Sequence, residues 1–368
     1  MRKSVARIYL KNLEFNYVNL RKKGNNRKVM AVVKADAYGH GMVRCVEHLE
    51  KLTNKPEYYG VALVEEAIEL RNSGVTSSPI LSFGPIDFED IPILLENQII
   101  PTVCTKEHIE FLSDYSGKEL KIHVNIDTGM GRLGLPYIKA FDLIKRISEN
   151  KSIVLDGIYT HLACSDENDK SYSKLQLMRF GNIVEKLKNN GIKYGVAHAA
   201  NSGAVLDLQD SYFDMIRPGI SLYGYYPSKD TSESVNLKPV MELCSVVSTT
   251  KKIPQGESVS YGRTYIAKQD IVSGTIGFGY ADGYNRQLSN RGKAFIQGRT
   301  VNQIGRVTMD RIMFDLSEIS DSENKEIILL GKGNTQKFDA ADWADICNTI
   351  PYEITCNISK RVPREYIV

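Results

Sequence analysis

At 368 residues, with 42% hydrophobic and 25% charged side chains, the chain has the composition of a soluble globular protein and is too long for one ordinary core, so two domains are expected. A net charge of +3 is too small to argue for nucleic acid or a membrane surface as partner. Six cysteines without a Cys-x-x-Cys pair disfavour a zinc site or a disulfide scaffold, and residues 1–20 hold no apolar stretch of signal or spanning length, so a cytoplasmic protein with reduced thiols is expected.

In chain order, apolar β-branched runs at 29–35, 58–63, 79–84, 99–104, 121–127, 155–163, 194–201 and 215–224 read as eight strands. Segments of helical spacing at 65–72, 138–150 and 173–190 alternate with them, as in parallel βαβ units. The pattern predicts an α/β protein whose N-terminal domain, residues 11–230, is a (β/α)8 TIM-type barrel. The polar stretch 228–234 then breaks the pattern as a connector would. Beyond it, alternating runs at 241–253, 271–280, 293–315 and 326–331 predict a mostly β domain over 231–368. One helix is expected near 339–348 with Asp339 as its cap, and the opening strand within residues 1–10 is assigned to this second domain.

Barrel enzymes place their chemistry where strands end, and polar residues gather at those positions here. The first run gives Ala31-Val32-Val33-Lys34-Ala35-Asp36-Ala37-Tyr38-Gly39-His40-Gly41. A lysine closing a buried strand meets a desolvated site that lowers its pKa and frees the amine to attack carbonyls, although a lysine after a strand more often carries a solvated ammonium. The fifth run leads into Asp127-Thr128-Gly129-Met130-Gly131-Arg132-Leu133-Gly134, the sixth carries His161, the seventh ends in Asn201-Ser202-Gly203, and the eighth contains Arg217-Pro218-Gly219-Ile220. The β-rich third adds Val259-Ser260-Tyr261-Gly262-Arg263-Thr264-Tyr265, Gly305-Arg306-Val307-Thr308-Met309-Asp310 and Pro351-Tyr352-Glu353-Ile354.

These motifs, in this order along nearly the whole chain, resemble those of the alanine racemases. The resemblance implies pyridoxal 5'-phosphate on Lys34 and a small amino acid as substrate. It places the cofactor phosphate among Ser202, Gly219, Ile220, Tyr38 and Tyr352, with Asn201 alongside. His161 and His198 would orient Arg217 and flank the cofactor ring. An arginine beside the pyridine nitrogen is always charged and accepts no hydrogen bond, so it leaves that nitrogen unprotonated and favours prompt return of a proton to the α-carbon. Spacing alone leaves open whether Arg217 does this or caps a loop through an ion pair.

Racemisation needs proton-transferring groups on opposite faces of the α-carbon, for which the resemblance supplies Lys34 and Tyr261. An unperturbed phenol near pKa 10 needs positive charge nearby to act as a base, and Arg217 with His161 is expected to provide it. In the family the tyrosine comes from the second protomer of a homodimer, together with the Met309 amide and Asp310 against the substrate carboxylate. Arg132 resembles the arginine that touches both that carboxylate and the tyrosine, and Tyr280 an aromatic at the site entrance. Where many relatives carry a carbamylated lysine, this chain has Asn125, beside which an anion is expected. The implied activity is interconversion of L- and D-alanine for cell-wall peptidoglycan. The alternatives are preference for serine or another small amino acid, and decarboxylation on the same type of barrel.

Overall fold

Eight parallel strands follow one another through the computed structural model, which describes residues 3–368: Lys28–Val32, Tyr58–Val61, Ile80–Pro85, Ile99–Val103, Leu120–Asp127, Ile153–Tyr159, Val196–His198 and Met215–Ile216. Each of the first six pairs with the next, and the eighth pairs with the first. The N–H groups of Asp214 and Arg217 donate to the carbonyls of Ala197 and Ala200 at 3.0 and 2.8 Å, which joins the eighth strand to the seventh and closes the TIM-type barrel. Parallel strands buried on both faces need apolar side chains on both, which is why they read as continuous runs rather than alternations. Met30, Tyr58, Leu81, Ile100, Tyr159, Val196 and Met215 form one buried layer to which every strand but the fifth contributes. At this level the fifth strand supplies His123, whose ring lies 5.8 Å from that of Tyr58.

Six of the eight strands are shorter than the runs that predicted them. The first ends at Val32, two residues before Lys34, and the sixth ends at Tyr159, before His161. The eighth is Met215–Ile216 alone, because Pro218 has no N–H for a ladder and Ile220–Tyr223 turns into a 3-10 helix. Helices Val64–Ser73, Tyr137–Ser148 and Ser171–Asn189 stand at the predicted places. The barrel unit comprises Glu14–Ala37 and Met42–Leu237. Among the described residues no helix is long and apolar enough to cross a membrane.

The other unit comprises residues through Leu13, Tyr38–Gly41 and Lys238–Val368. Its sheet is ordered Lys337–Phe338, Glu326–Lys332, Lys293–Ile296, Arg299–Ile304, Ile312–Asp315, Ile271–Ile276, Met241–Ile253, Val5–Tyr9 and Arg364–Ile367. The long strand Met241–Ile253 also pairs with Glu326–Lys332, so the sheet curls on itself. Pairing is antiparallel except at Val5–Tyr9 with Arg364–Ile367, where the two ends of the chain run parallel. Trp343 and Tyr284, both fully buried, meet edge to face at 4.7 Å in this unit.

Helix Ala340–Cys347 has the predicted cap: Asp339 accepts from the Ala341 N–H at 2.9 Å, while Asp342 accepts from the Asp339 N–H at 2.8 Å. Loss of such a cap costs about 0.5–2 kcal/mol. Asp339→Ala should therefore lower the urea unfolding midpoint, and Asp339→Asn should restore most of the loss. Equal midpoints for wild type and Asp339→Ala would show that the cap contributes nothing.

Candidate active site

The residue after Val33 is Lys34, half-buried, and the backbone that follows it leaves ordinary conformational space. Ala35, Asp36, Ala37 and Tyr38 all have φ between 52° and 55°, one turn of left-handed helix made of residues that carry a Cβ. Such a conformation costs about 1–2 kcal/mol per residue. Glu66 offsets part of that cost, since its carboxylate accepts the Ala35 N–H at 2.6 Å and the Ala62 N–H at 2.8 Å. Asp36 accepts from Met42 N–H at 2.7 Å and closes the turn. Strain of this kind persists where the surroundings over-determine it and gathers at functional sites.

Across the barrel rim, Arg217 is 3% exposed and has only neutral partners. Its Nη1 donates to His198 Nδ1 at 2.8 Å, and its Nη2 donates to the carbonyls of Thr160 and Ala199 at 2.9 and 3.2 Å and more weakly to His161 Nδ1 at 3.4 Å. No carboxylate is among these partners, which removes the ion-pair reading. Burial pushes the guanidinium down to about 10, still charged near neutrality. Burial first, then the charges of Arg217, Arg132 and Lys34, push His161 down to about 3. Those couplings bring Lys34, Arg132, His161 and Arg217 together, and they correct one expectation: His161 is neutral, so the positive charge here belongs to the arginines.

Ser202 Oγ, 3% exposed, accepts the N–H groups of Gly219 and Ser221 at 2.8 and 3.3 Å. Gly219 takes φ −113°, ψ −98°, and the Ile220 N–H that follows opens a 3-10 turn without a backbone carbonyl to receive it. Ser221 Oγ is buried without a hydrogen-bond partner. A serine hydroxyl set among backbone amides fits an anionic oxygen ligand. Asn201 beside it has a role in the local fold, where its Oδ1 caps helix Ser202–Asp207 by accepting from Ala204 N–H at 3.1 Å and also receives the Ser165 hydroxyl at 2.7 Å. Asn125 likewise donates to the Leu133 carbonyl at 3.1 Å, while Asp127 accepts from the N–H groups of Gly129 and Gly131 at 2.9 and 3.1 Å, shaping the loop that exposes Arg132.

The β-rich unit holds the remaining predicted residues in two groups. Tyr38 and Tyr352 have ring centroids 5.8 Å apart, and Tyr352 stands on helix Pro351–Cys356, which periodicity did not reveal. Arg364 fixes their neighbourhood by donating twice to the Gly39 carbonyl at 3.1 Å. Separately, Tyr261, Tyr280, Thr308, Met309 and Asp310 line one cleft. Tyr261 is 73% exposed and Met309 53%. The Met309 turn is pinned by Tyr280 N–H to the Thr308 carbonyl and Ala281 N–H to the Met309 carbonyl, at 3.0 and 3.1 Å. A Cβ at Gly279 would overlap the Met309 carbonyl, so the close approach requires glycine there. Arg361 holds Asp310 at 2.7 Å.

Comparison with known proteins identifies the family of the chain. Models described as alanine racemase N-terminal domain and alanine racemase C-terminal domain match residues 8–227 and 240–366. The alanine racemase of Clostridium perfringens strain SM101 is 42% identical, covering 98% of this chain and 94% of that protein. The structure of alanine racemase from Clostridium difficile 630 superposes with TM-score 0.91 at 35% identity, covering 100% of this chain and 96% of that one. A structure of the alanine racemase from E. faecalis gives TM-score 0.91 at 32% identity, covering 100% and 98%.

The depressed His161 has a consequence for stability. Unfolded, its imidazole binds a proton near pH 6.5; folded, only near pH 3, so the unfolded state holds more protons between these values and stability falls as the pH drops below about 6.5. Burial moves His198 and His123 the same way. Urea midpoints measured from pH 7 to 5 should fall less steeply for His161→Gln than for wild type. Parallel slopes would mean that His161 is not held neutral.

Proposed function

The chain belongs to the alanine racemase family and is an isomerase that interconverts L- and D-alanine, and from that premise we propose a two-base mechanism supported by pyridoxal 5'-phosphate. The observation that carries the proposal is the buried Arg217 guanidinium, whose two Nη groups are held by neutral acceptors. A charged donor in that state suits an unprotonated ring nitrogen, which can only accept. The serine-and-amide cradle of Ser202, Gly219, Ile220 and the unpartnered Ser221 Oγ suits a phosphate, with Tyr38 and Tyr352 as phenol donors. When bound, the cofactor withdraws electron density from the substrate α-carbon and lowers the cost of removing its proton.

The chain's own groups do the rest. Lys34 Nζ takes or returns the α-proton on one face, and Tyr261 Oη does so on the other. Arg217 stays charged and does not surrender its proton to the ring, so electron density remains near the α-carbon and the proton returns promptly. The Met309 N–H and Arg132 hold the substrate carboxylate, and Asp310 steadies the Met309 turn through Arg361. The exposed cleft containing Tyr261, Tyr280 and Met309 is the face offered to the partner of a homodimer, in which Tyr261 serves the other protomer's Lys34. A cytoplasmic enzyme supplying D-alanine for peptidoglycan follows from this reading.

Lys34→Ala should abolish turnover and the visible absorbance of bound cofactor; a yellow, fully active variant would remove Lys34 from the mechanism. Tyr261→Phe should retain cofactor while losing about 10²–10⁴ in rate, the range of a positioned acid–base group. An unchanged rate in both directions would exclude Tyr261.

A further inference from the structure

Beyond the residues in direct reach of substrate or cofactor, the Arg217 contacts continue into the barrel as a single file. His198 Nε2 and His123 Nδ1 are 3.0 Å apart, and His123 Nε2 lies 3.2 Å from Asp156 Oδ2, which also receives the Tyr58 hydroxyl at 2.9 Å. Both imidazoles are fully buried. Because a guanidinium only donates, His198 must present a bare Nδ1 to Arg217 and carry its proton on Nε2. That proton points at His123, which must then accept on Nδ1 and donate from Nε2 to Asp156. Every hydrogen bond runs one way, from the arginine to the carboxylate.

We propose that His123 and Asp156 are positioning residues for the racemase site: the Asp156 acceptor fixes the tautomers of His123 and His198 and thereby holds Arg217 in its donating pose. This rests on the role given to Arg217 above. Asp156 is aimed into the barrel by a backbone irregularity. Ile122 pairs with Leu155 and His123 with Gly157, so Asp156 is the extra residue of a bulge, a device that re-aims a side chain. Gly157 completes the arrangement, since a Cβ there would overlap the His123 ring. Burial opposes ionisation of Asp156, but the bonds from His123 and Tyr58 outweigh it and hold the carboxyl below its usual range, so it remains an acceptor. Burial likewise keeps both histidines neutral, as two-nitrogen relays with one proton each.

Without an acceptor at 156, His123 is free to carry its proton on Nδ1. That hydrogen would face the Nε2 hydrogen of His198, force His198 to the opposite tautomer, and set an N–H against Arg217 Nη1 at a distance suited to a bond.

The test is 15N NMR of the holoenzyme labelled at its six histidines, with kinetics on Asp156→Ala and Asp156→Asn. In wild type both His123 and His198 should be protonated on Nε2 alone. In Asp156→Ala a Nδ1-protonated form of His198 should appear, and kcat for alanine should fall by about ten- to a hundredfold, the effect of a misplaced group, with a much smaller change in KM. Asp156→Asn keeps an acceptor oxygen and should recover the single tautomer and most of kcat. Nδ1-protonated His198 in wild type overturns the proposal even if no variant folds. So does a single Nε2 tautomer in Asp156→Ala with kcat unchanged, or Asp156→Asn as impaired as Asp156→Ala. These outcomes leave the function of Lys34, Tyr261 and Arg217 untouched, because the tautomers are read without reference to turnover.

Discussion

A guanidinium buried without a carboxylate is the constraint around which the barrel end is arranged. Removing such a charge from water costs several kcal/mol, and an ion pair is the usual compensation. Here the compensation comes from two imidazoles and two carbonyls, all of them acceptors toward Arg217. Neutral acceptors leave the positive charge uncancelled, available to whatever occupies the rim. A glutamate in place of His198 would give an ion pair and a site of different chemistry, because the cation would then be neutralised within the protein.

The backbone around Lys34 is held in a comparable way. Four consecutive left-handed residues are unfavourable in isolation, yet they swing the chain sharply away from the strand direction directly after the lysine. Glu66 supports that path by accepting the Ala35 N–H, and Asp36 ties it to the next helix by accepting the Met42 N–H. The cradle built from Ser202 and the 219–221 amides is rigid for a related reason, since its serine is already engaged by the backbone it organises. Sites prepared in this way need little rearrangement to bind, which is where binding energy is otherwise lost.

Much of this is legible in the chain. The eight barrel strands stand out because doubly buried strands must be apolar throughout, and Lys34, Arg132, His161, Ser202 and Arg217 stand out because polar residues at the ends of such runs have few structural duties. Asp339 is readable as a cap for local reasons alone. What cannot be read depends on distant partners. The pairing of Val5–Tyr9 with Arg364–Ile367 joins the two ends of the chain. Ala35 and Ala37, strong formers of right-handed helix, give no sign of a left-handed turn that Glu66 imposes from another element. His123 in Lys121-Ile122-His123-Val124 has the look of a satisfied core histidine, and the bulge that brings Asp156 to it leaves no mark in composition. The assignment of positive charge to His161 fails because burial and neighbouring cations act together in three dimensions.

The proposed mechanism turns on whether Arg217 leaves the ring nitrogen of pyridoxal phosphate without a proton. Holoenzyme reconstituted with pyridoxal phosphate labelled with 15N in the ring reads that state directly by NMR. The expected spectrum has the chemical shift of an unprotonated pyridine nitrogen accepting a hydrogen bond, unchanged across neutral pH; a shift typical of a pyridinium would refute the role given to Arg217.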